Sequence, residues 1–167
     1  MWQKFQSALL NAPDDKQSRN ATPAAVLLPF LDSEPIQMLF TRRSANLKDH
    51  SGQVAFPGGR VEKGESFADA ALREAKEEVG LNPNQARILG FLPTLTTGTG
   101  FSIVPVAAKI APPFDFECDP VEVAEIFTVP MAFLMNPKNH KKQRFFWQGQ
   151  WREFWAMPYH NHFIWGA

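Results

Sequence analysis

The chain has 167 residues, with 17 Lys and Arg against 17 Asp and Glu, so its formal charge is zero. At 44% hydrophobic and 20% charged residues it has the composition of one globular domain rather than a disordered chain, and the charge balance excludes a protein held to nucleic acid by bulk positive charge. No apolar run approaches the roughly 20 residues of a membrane helix, the single cysteine, Cys118, has no internal disulfide partner, and the N-terminus has no signal-peptide pattern, so a cytoplasmic protein without a membrane partner is expected.

Trp2, Phe5 and Leu9 recur at helical spacing, predicting an N-terminal amphipathic helix within residues 1–12. Residues 24–31 and 36–41 read as strands joined by a turn at Asp32-Ser33-Glu34-Pro35. Residues 44–52 read as a polar loop, and Val54-Ala55-Phe56 as a short strand stopped by Pro57-Gly58-Gly59. The next helix has clear ends: Ser66 as N-cap with Asp69 as capping-box acid, and Gly80 followed by apolar Leu81 as a Schellman stop. Residues 86–96 and 101–110 read as two strands, and 112–125, with five acids and no Lys or Arg, as an exposed acidic loop. Pro130 opens a helix over 130–136. A hairpin follows, with Phe145-Phe146-Trp147 and the run from Trp151 to Met157 flanking Gln148-Gly149-Gln150. The alternation of helices and strands predicts an α+β fold with αβα layers in a single domain over 1–167.

Residues 56–81 carry the chemistry. Glu74, Glu77 and Glu78 stand at i, i+3 and i+4, so three carboxylates share one helical face, with Ala68, Ala71, Leu72, Ala75 and Val79 forming the apolar stripe. Like charges at these offsets repel, and a divalent cation with a preference for oxygen, Mg²⁺ or Mn²⁺, removes the repulsion. Glu65 and Arg73 are placed to pair and to tie loop to helix. Metals held there would neutralise a pyrophosphate and activate water. The competing reading is a solvated glutamate-rich helix with an ordinary Arg73–Glu77 pair.

The full spacing resembles the Nudix box, G-x5-E-x7-R-E-U-x-E-E-x-G-U with U apolar. Here it runs over 59–81 as Gly59, Glu65 and Arg73-Glu74-Ala75-Lys76-Glu77-Glu78-Val79-Gly80-Leu81, matching every fixed position. The resemblance implies a Nudix fold, with a mixed sheet between helices and the box as loop–helix–loop. It implies a hydrolase of nucleoside diphosphate derivatives using Mg²⁺ or Mn²⁺. Glu74 and Glu78 would be metal ligands, Glu77 a further ligand or water-positioning group, and these three the catalytic set. Gly59, Glu65, Arg73 and Gly80 would be structural.

Upstream, Leu39-Phe40-Thr41-Arg42-Arg43-Ser44, Lys48, Gly52 and Phe56-Pro57-Gly58-Gly59 are similar to the coenzyme A diphosphatase signature of that family. Phe40 replaces a leucine, and Lys48 replaces an arginine, keeping charge but not the bidentate fork. Arg42, Arg43 and Lys48 form a local cationic cluster suited to phosphate, and with Gly58 they are the expected substrate-binding residues. The implied reaction is cleavage of coenzyme A or a derivative to 4′-phosphopantetheine and 3′,5′-ADP. Alternatives keep the chemistry on an ADP-sugar, NADH or a dinucleoside polyphosphate, or make the domain a non-catalytic nucleotide sensor. Thr97 to Val106 and the C-terminal Phe154-Trp155-Ala156-Met157 and His162 to Ala167 also resemble the subgroup, which continues into a final helix that this sequence is expected to lack.

Other candidates rank lower. Glu122 and Glu125 stand where some family members place an extra carboxylate, and Glu122 is the stronger of the two. His160 and His162 form an H-x-H pair read as strand residues rather than a zinc site. His50 stands in the phosphate-side loop. Lys141, Lys142 and Arg144 read as a solvated turn, Trp147 and Trp151 as packed rings, and Cys118 as no nucleophile.

Overall fold

Residues 22–31 and 101–110 are near-continuous apolar runs, the pattern of strands covered on both faces. In the computed structural model, which describes residues 2–14, 20–47, 50–147 and 149–166, they are the parallel pair at the centre of the sheet. The elements in chain order are α1 (Trp2–Gln6), β1 (Thr22–Leu31), β2 (Gln37–Arg43), β3 (Val54–Ala55), β4 (Gly58–Arg60), α2 (Phe67–Val79), β5 (Ala86–Phe91), β6 (Leu95–Thr96), β7 (Phe101–Ile110), β8 (Val123–Pro130), α3 (Met131–Leu134), β9 (Lys141–Trp147), β10 (Gln150–Tyr159) and β11 (His162–Trp165).

β1 and β7 run in register from Thr22 opposite Phe101 to Leu31 opposite Ile110. The sheet path is β3-β2-β1-β7-β5, with β4 on β1, β6 on β7 and β8 on β2. These other pairings are antiparallel, so the sheet is mixed. α2 covers one face, packing Ala70, Ala71, Ala75 and Val79 against Leu27, Leu39, Val106 and Ile110. On the other face Phe30, Met38, Phe40 and Val129 lie beneath Trp2, Phe5, Met131, Leu134 and Ile164. The expected α+β layering is present, and no helix among the described residues is long and apolar enough to cross a membrane.

Several boundaries differ from the sequence reading. The N-terminal helix, expected within 1–12, ends at Gln6, and Leu10 exchanges backbone hydrogen bonds with Phe91 at 2.8 and 2.9 Å. The short strand β3 ends at Ala55, ahead of Pro57-Gly58-Gly59 as expected, but Gly58-Gly59 is more than a stop. It opens β4, which pairs with Ala24, Ala25 and Val26 of β1. That pairing needs glycine, since a Cβ on Gly58 would stand 2.4 Å from the Ala25 carbonyl oxygen. The strand expected over 86–96 breaks after Phe91, where Pro93 lacks a donor. The acidic segment is a loop only to Glu122. Phe114 and Phe116 pack against the core, and β8 begins at Val123. Pro130 closes β8 and caps α3 instead of being its first residue.

The predicted hairpin forms as β9 and β10, and β11 extends it into a second, three-stranded sheet. Lys141, Lys142 and Arg144 therefore lie on a strand, not in a turn, and Lys142 reaches Glu153 at 2.7 Å. Trp151 is largely exposed rather than packed; Phe146 and the Arg144 guanidinium lie against its ring. The side chain of Trp147 lies outside the described residues.

Candidate functional site

Both ends of α2 are fixed by local chemistry. Ser66, in extended conformation, accepts from the Asp69 N–H, and its hydroxyl donates to the Asp69 carboxylate at 2.6 Å. At the other end Gly80 takes φ 68°, a left-handed conformation open to glycine at no steric cost. Its N–H reaches the Lys76 carbonyl at 3.1 Å, and the Leu81 N–H reaches Ala75 at 3.3 Å, which is the Schellman pattern. The glutamates of the last two turns are thereby held at a set height and rotation against β4.

Arg73 ties helix to loop. Its guanidinium donates to Glu65 at 2.9 Å and 3.2 Å, to Glu74 at 2.8 Å, to Glu77 at 3.3 Å and to the Arg60 carbonyl at 3.0 Å. The Arg73 bond, and then the Glu62 N–H, hold the Glu65 carboxyl below the usual range. The expected Glu65–Arg73 pair is therefore present, and Arg73 also serves two of the three helical glutamates.

The three glutamates do not share one solvated face. Glu78 is 4% exposed and its side chain accepts the Gly58 N–H at 3.3 Å. Glu74 is 16% exposed and Glu77 59% exposed on their side chains. Residues i and i+4 turn inward together toward β4, while i+3 rotates out. Burial, first, and the neighbouring Glu74 charge push the Glu78 carboxyl up to about 8, against the lowering effect of Arg43. Burial also raises Glu74, and Arg73 opposes it. Gly59 is shaped to this pair, since a Cβ there would lie 2.3 Å from Glu74 Oε1.

Arg42 and Arg43 do not cluster. Side chains alternate along β2. Arg42 follows Phe40 onto the face carrying Phe127 and bonds Glu125 at 2.9 Å. Arg43 turns the other way, where its charge acts on Glu78 and its Nε is buried without a partner. Lys48 lies outside the described residues. Glu122 is exposed, yet its charge raises both Glu74 and Glu78, so it faces the pair electrostatically. Its carbonyl accepts the Ser44 N–H at 2.8 Å, fixing the start of β8 beside the end of β2.

Among the described residues no three His, Cys, Asp or Glu side chains converge into a ready-made cation cage. What the site does hold is a buried pair of carboxylates short of positive charge, with a third acid acting on both. Such oxygen donors fit Mg²⁺ or Mn²⁺.

Glu125 and His162 ranked low by sequence, as the weaker extra carboxylate and as half of an H-x-H pair, and nothing there joined them to each other. Glu125 is an arginine partner on β8, and His162 Nε2 lies 3.1 Å from its Oε1. His162 stands on β11, whereas His160 occupies the preceding turn with φ 52°, so the H-x-H pair does not share a strand face. His50 also has positive φ and its Nδ1 meets Gln53 at 3.0 Å. Burial pushes the Cys118 thiol up, as expected of an unreactive cysteine.

A family model described as NUDIX domain matches residues 21–146. Among curated proteins, the Nudix hydrolase NudL of Citrobacter koseri, itself uncharacterized, is 35% identical over 159 residues, covering 95% of this chain and 83% of that protein. NudL of Escherichia coli K12 is 34% identical with the same coverage. Among solved structures, an Ap4A hydrolase binary complex from C. elegans has TM-score 0.56 and 26% identity over 65% of this chain and 80% of that one. The NUDIX domain of Shewanella oneidensis NrtR, complexed with ADP ribose, has TM-score 0.53 and 18% identity over 73% of this chain and 80% of that one.

Proposed function

This chain belongs to the Nudix family, and from that premise we propose that it hydrolyses the pyrophosphate bond of coenzyme A or one of its derivatives, giving 4′-phosphopantetheine and 3′,5′-ADP. Membership itself makes it a Nudix hydrolase acting on a nucleoside diphosphate derivative. The observation that supports the narrower substrate is how the coenzyme A-like signature meets the carboxylates. Its Phe56-Pro57-Gly58-Gly59 end lies against Glu74 and Glu78, with Gly58 bonding Glu78 and Gly59 clearing space for Glu74. Its Arg43 adds the positive charge acting on Glu78.

Glu74 and Glu78, with Glu122 nearby, would hold the divalent cation, and Glu77 on the exposed edge would add a ligand or orient water. Bound Mg²⁺ or Mn²⁺ supplies charge neutralisation for the diphosphate and a more acidic water. The protein's own part is to keep Glu78 buried, to hold Glu74 on Arg73, and to offer the Gly58–Gly59 backbone for close approach. Arg43 would meet phosphate on the helix side of the sheet.

The test is product identification by mass spectrometry with coenzyme A, an acyl-coenzyme A and ADP-ribose at alkaline pH, in Mg²⁺ and in Mn²⁺. We expect 4′-phosphopantetheine (acylated for the thioester) and 3′,5′-ADP. Coenzyme A left intact while ADP-ribose is cleaved would reject the substrate and favour the ADP-ribose reading that the NrtR likeness raises.

A further inference from the structure

Three side chains far apart in sequence meet on the sheet face away from α2. Arg42 and Glu125 stand opposite each other on β2 and β8, and Arg42 Nε donates to Glu125 Oε2 at 2.9 Å. The other oxygen of that carboxylate, Oε1, lies 3.1 Å from His162 Nε2 on β11. The imidazole is 9% exposed. It lies flat on Phe127, with ring centroids 3.6 Å and planes 7° apart, and its Nδ1 is buried without a partner. A proton on Nε2 would be donated to the Glu125 carboxylate, which can only accept. The arrangement spans three strands from two sheets.

The bonding is directional. An arginine that serves only to cross-link is best satisfied by a two-bond fork to one carboxylate. Here Glu125 divides its oxygens between Arg42 and His162, so the guanidinium is gripped at Nε alone. Both Nη groups have no protein partner among the described residues, on a side chain that is 43% exposed. Two parallel donors in that position suit a phosphate. A free arginine gives up rotamer freedom when it binds an anion, and one held in advance gives up less. The Arg42 bond, assisted by His162, holds the Glu125 carboxyl below the usual range despite burial, so the grip is ionic at neutral pH. Arg43 stands on the carboxylate side of β2, and Arg42 on the other.

We infer that Glu125 and His162 are positioning residues that aim Arg42 at a phosphate monoester of the substrate, separate from its scissile diphosphate. This rests on the coenzyme A reading, whose substrate carries such a group at the 3′ position. The three residues then act as a specificity device and take no part in bond cleavage.

The experiment is steady-state kinetics of the full chain with divalent metal on coenzyme A and on its 3′-dephospho form, for wild type, Arg42→Gln, Glu125→Gln and His162→Phe. His162→Phe keeps a ring on Phe127 and removes only the hydrogen bond. Arg42→Gln is expected to raise KM for coenzyme A about tenfold or more, the scale of a charge-assisted hydrogen bond, with kcat and the dephospho KM within about twofold. Glu125→Gln and His162→Phe are expected to raise the coenzyme A KM selectively by about threefold, and His162→Phe to add nothing on top of Arg42→Gln. Effects equal on both substrates, additive effects, or a change in melting temperature with no KM change would mark a structural cross-link and overturn the inference. Wild type with equal KM for the two forms would overturn it alone. Wild type that cleaves ADP-ribose but neither form of coenzyme A would remove the substrate reading and this inference with it.

Discussion

Replacing Glu78 with Gln isolates the cost of burying its charge. In the folded protein this carboxyl titrates at about 8 against an ordinary value of 4.5, chiefly because it is buried, with the Glu74 charge adding to the effect. Between those two values the folded chain keeps a proton that the unfolded chain has lost, so stability falls as pH rises, by about 1.4 kcal/mol per pH unit from this group. The deficit is nearly absent below pH 4.5, reaches roughly 3 kcal/mol at pH 7, and levels off above pH 8. Relaxation and water entry reduce such figures, so a gain of about 1.5–3 kcal/mol is expected for Glu78→Gln at pH 8. Gln preserves the acceptor for the Gly58 N–H and carries no charge.

The assay is thermal unfolding by circular dichroism in EDTA from pH 5 to 8.5. At about 2–4 °C per kcal/mol for a chain of this size, Glu78→Gln should melt some 3–12 °C above wild type at pH 8 and level with it near pH 5. Adding Mg²⁺ or Mn²⁺ at pH 8 should raise the wild-type melting temperature and leave the variant unmoved, because a ligand that binds only the folded state stabilises it. Turnover of the variant should fall at least ~10²-fold, the scale of losing a key electrostatic group. A variant less stable than wild type at pH 8, or one equally stabilised at every pH, would refute the burial argument. Unchanged turnover would refute the assignment of Glu78 to the metal.

The two glycines of β4 should part in their effects. Gly59→Ala places a methyl 2.3 Å from Glu74 Oε1, the end of a flexible side chain, so its melting temperature should fall less than that of Gly58→Ala while turnover drops by about tenfold or more as that carboxylate is displaced. Gly58→Ala meets backbone, at 2.4 Å from the Ala25 oxygen and 2.6 Å from the Val26 Cα, so its cost should appear in stability by urea denaturation, at about 2–4 kcal/mol. Arg73→Ala strands Glu65 and Glu74 without their shared cation and should lose roughly 2–3 kcal/mol in the same assay, with Arg73→Lys recovering only part because a point charge cannot span both carboxylates.

What sequence could and could not disclose follows from how far apart the partners lie. Ser66, Gly80 and the Glu65–Arg73 pair belong to one loop and one helix, so spacing alone located them, and the structure keeps each contact. The glutamate offsets were equally legible, but not which glutamate is buried. That depends on β4 crossing beside the helix, and β4 is held by pairing Gly58 and Gly59 with Val26 and Ala25, residues more than thirty positions earlier. The same distance hid the divergence of Arg42 and Arg43. Adjacent arginines look like one cluster until β2 is known to be flanked on opposite faces by α2 and by Phe127. Glu125 and His162 were each visible as weak local candidates, but nothing local paired them, since their bond joins two sheets across 37 positions. The acidic and basic residues that cancel in the net charge are therefore sorted by the sheet: Glu78 and Arg43 face the helix side, Glu125 and Arg42 the other. If both proposals hold, a neutral chain carries two separate places to meet an anion, one through carboxylates that need a cation and one through an arginine already held in place.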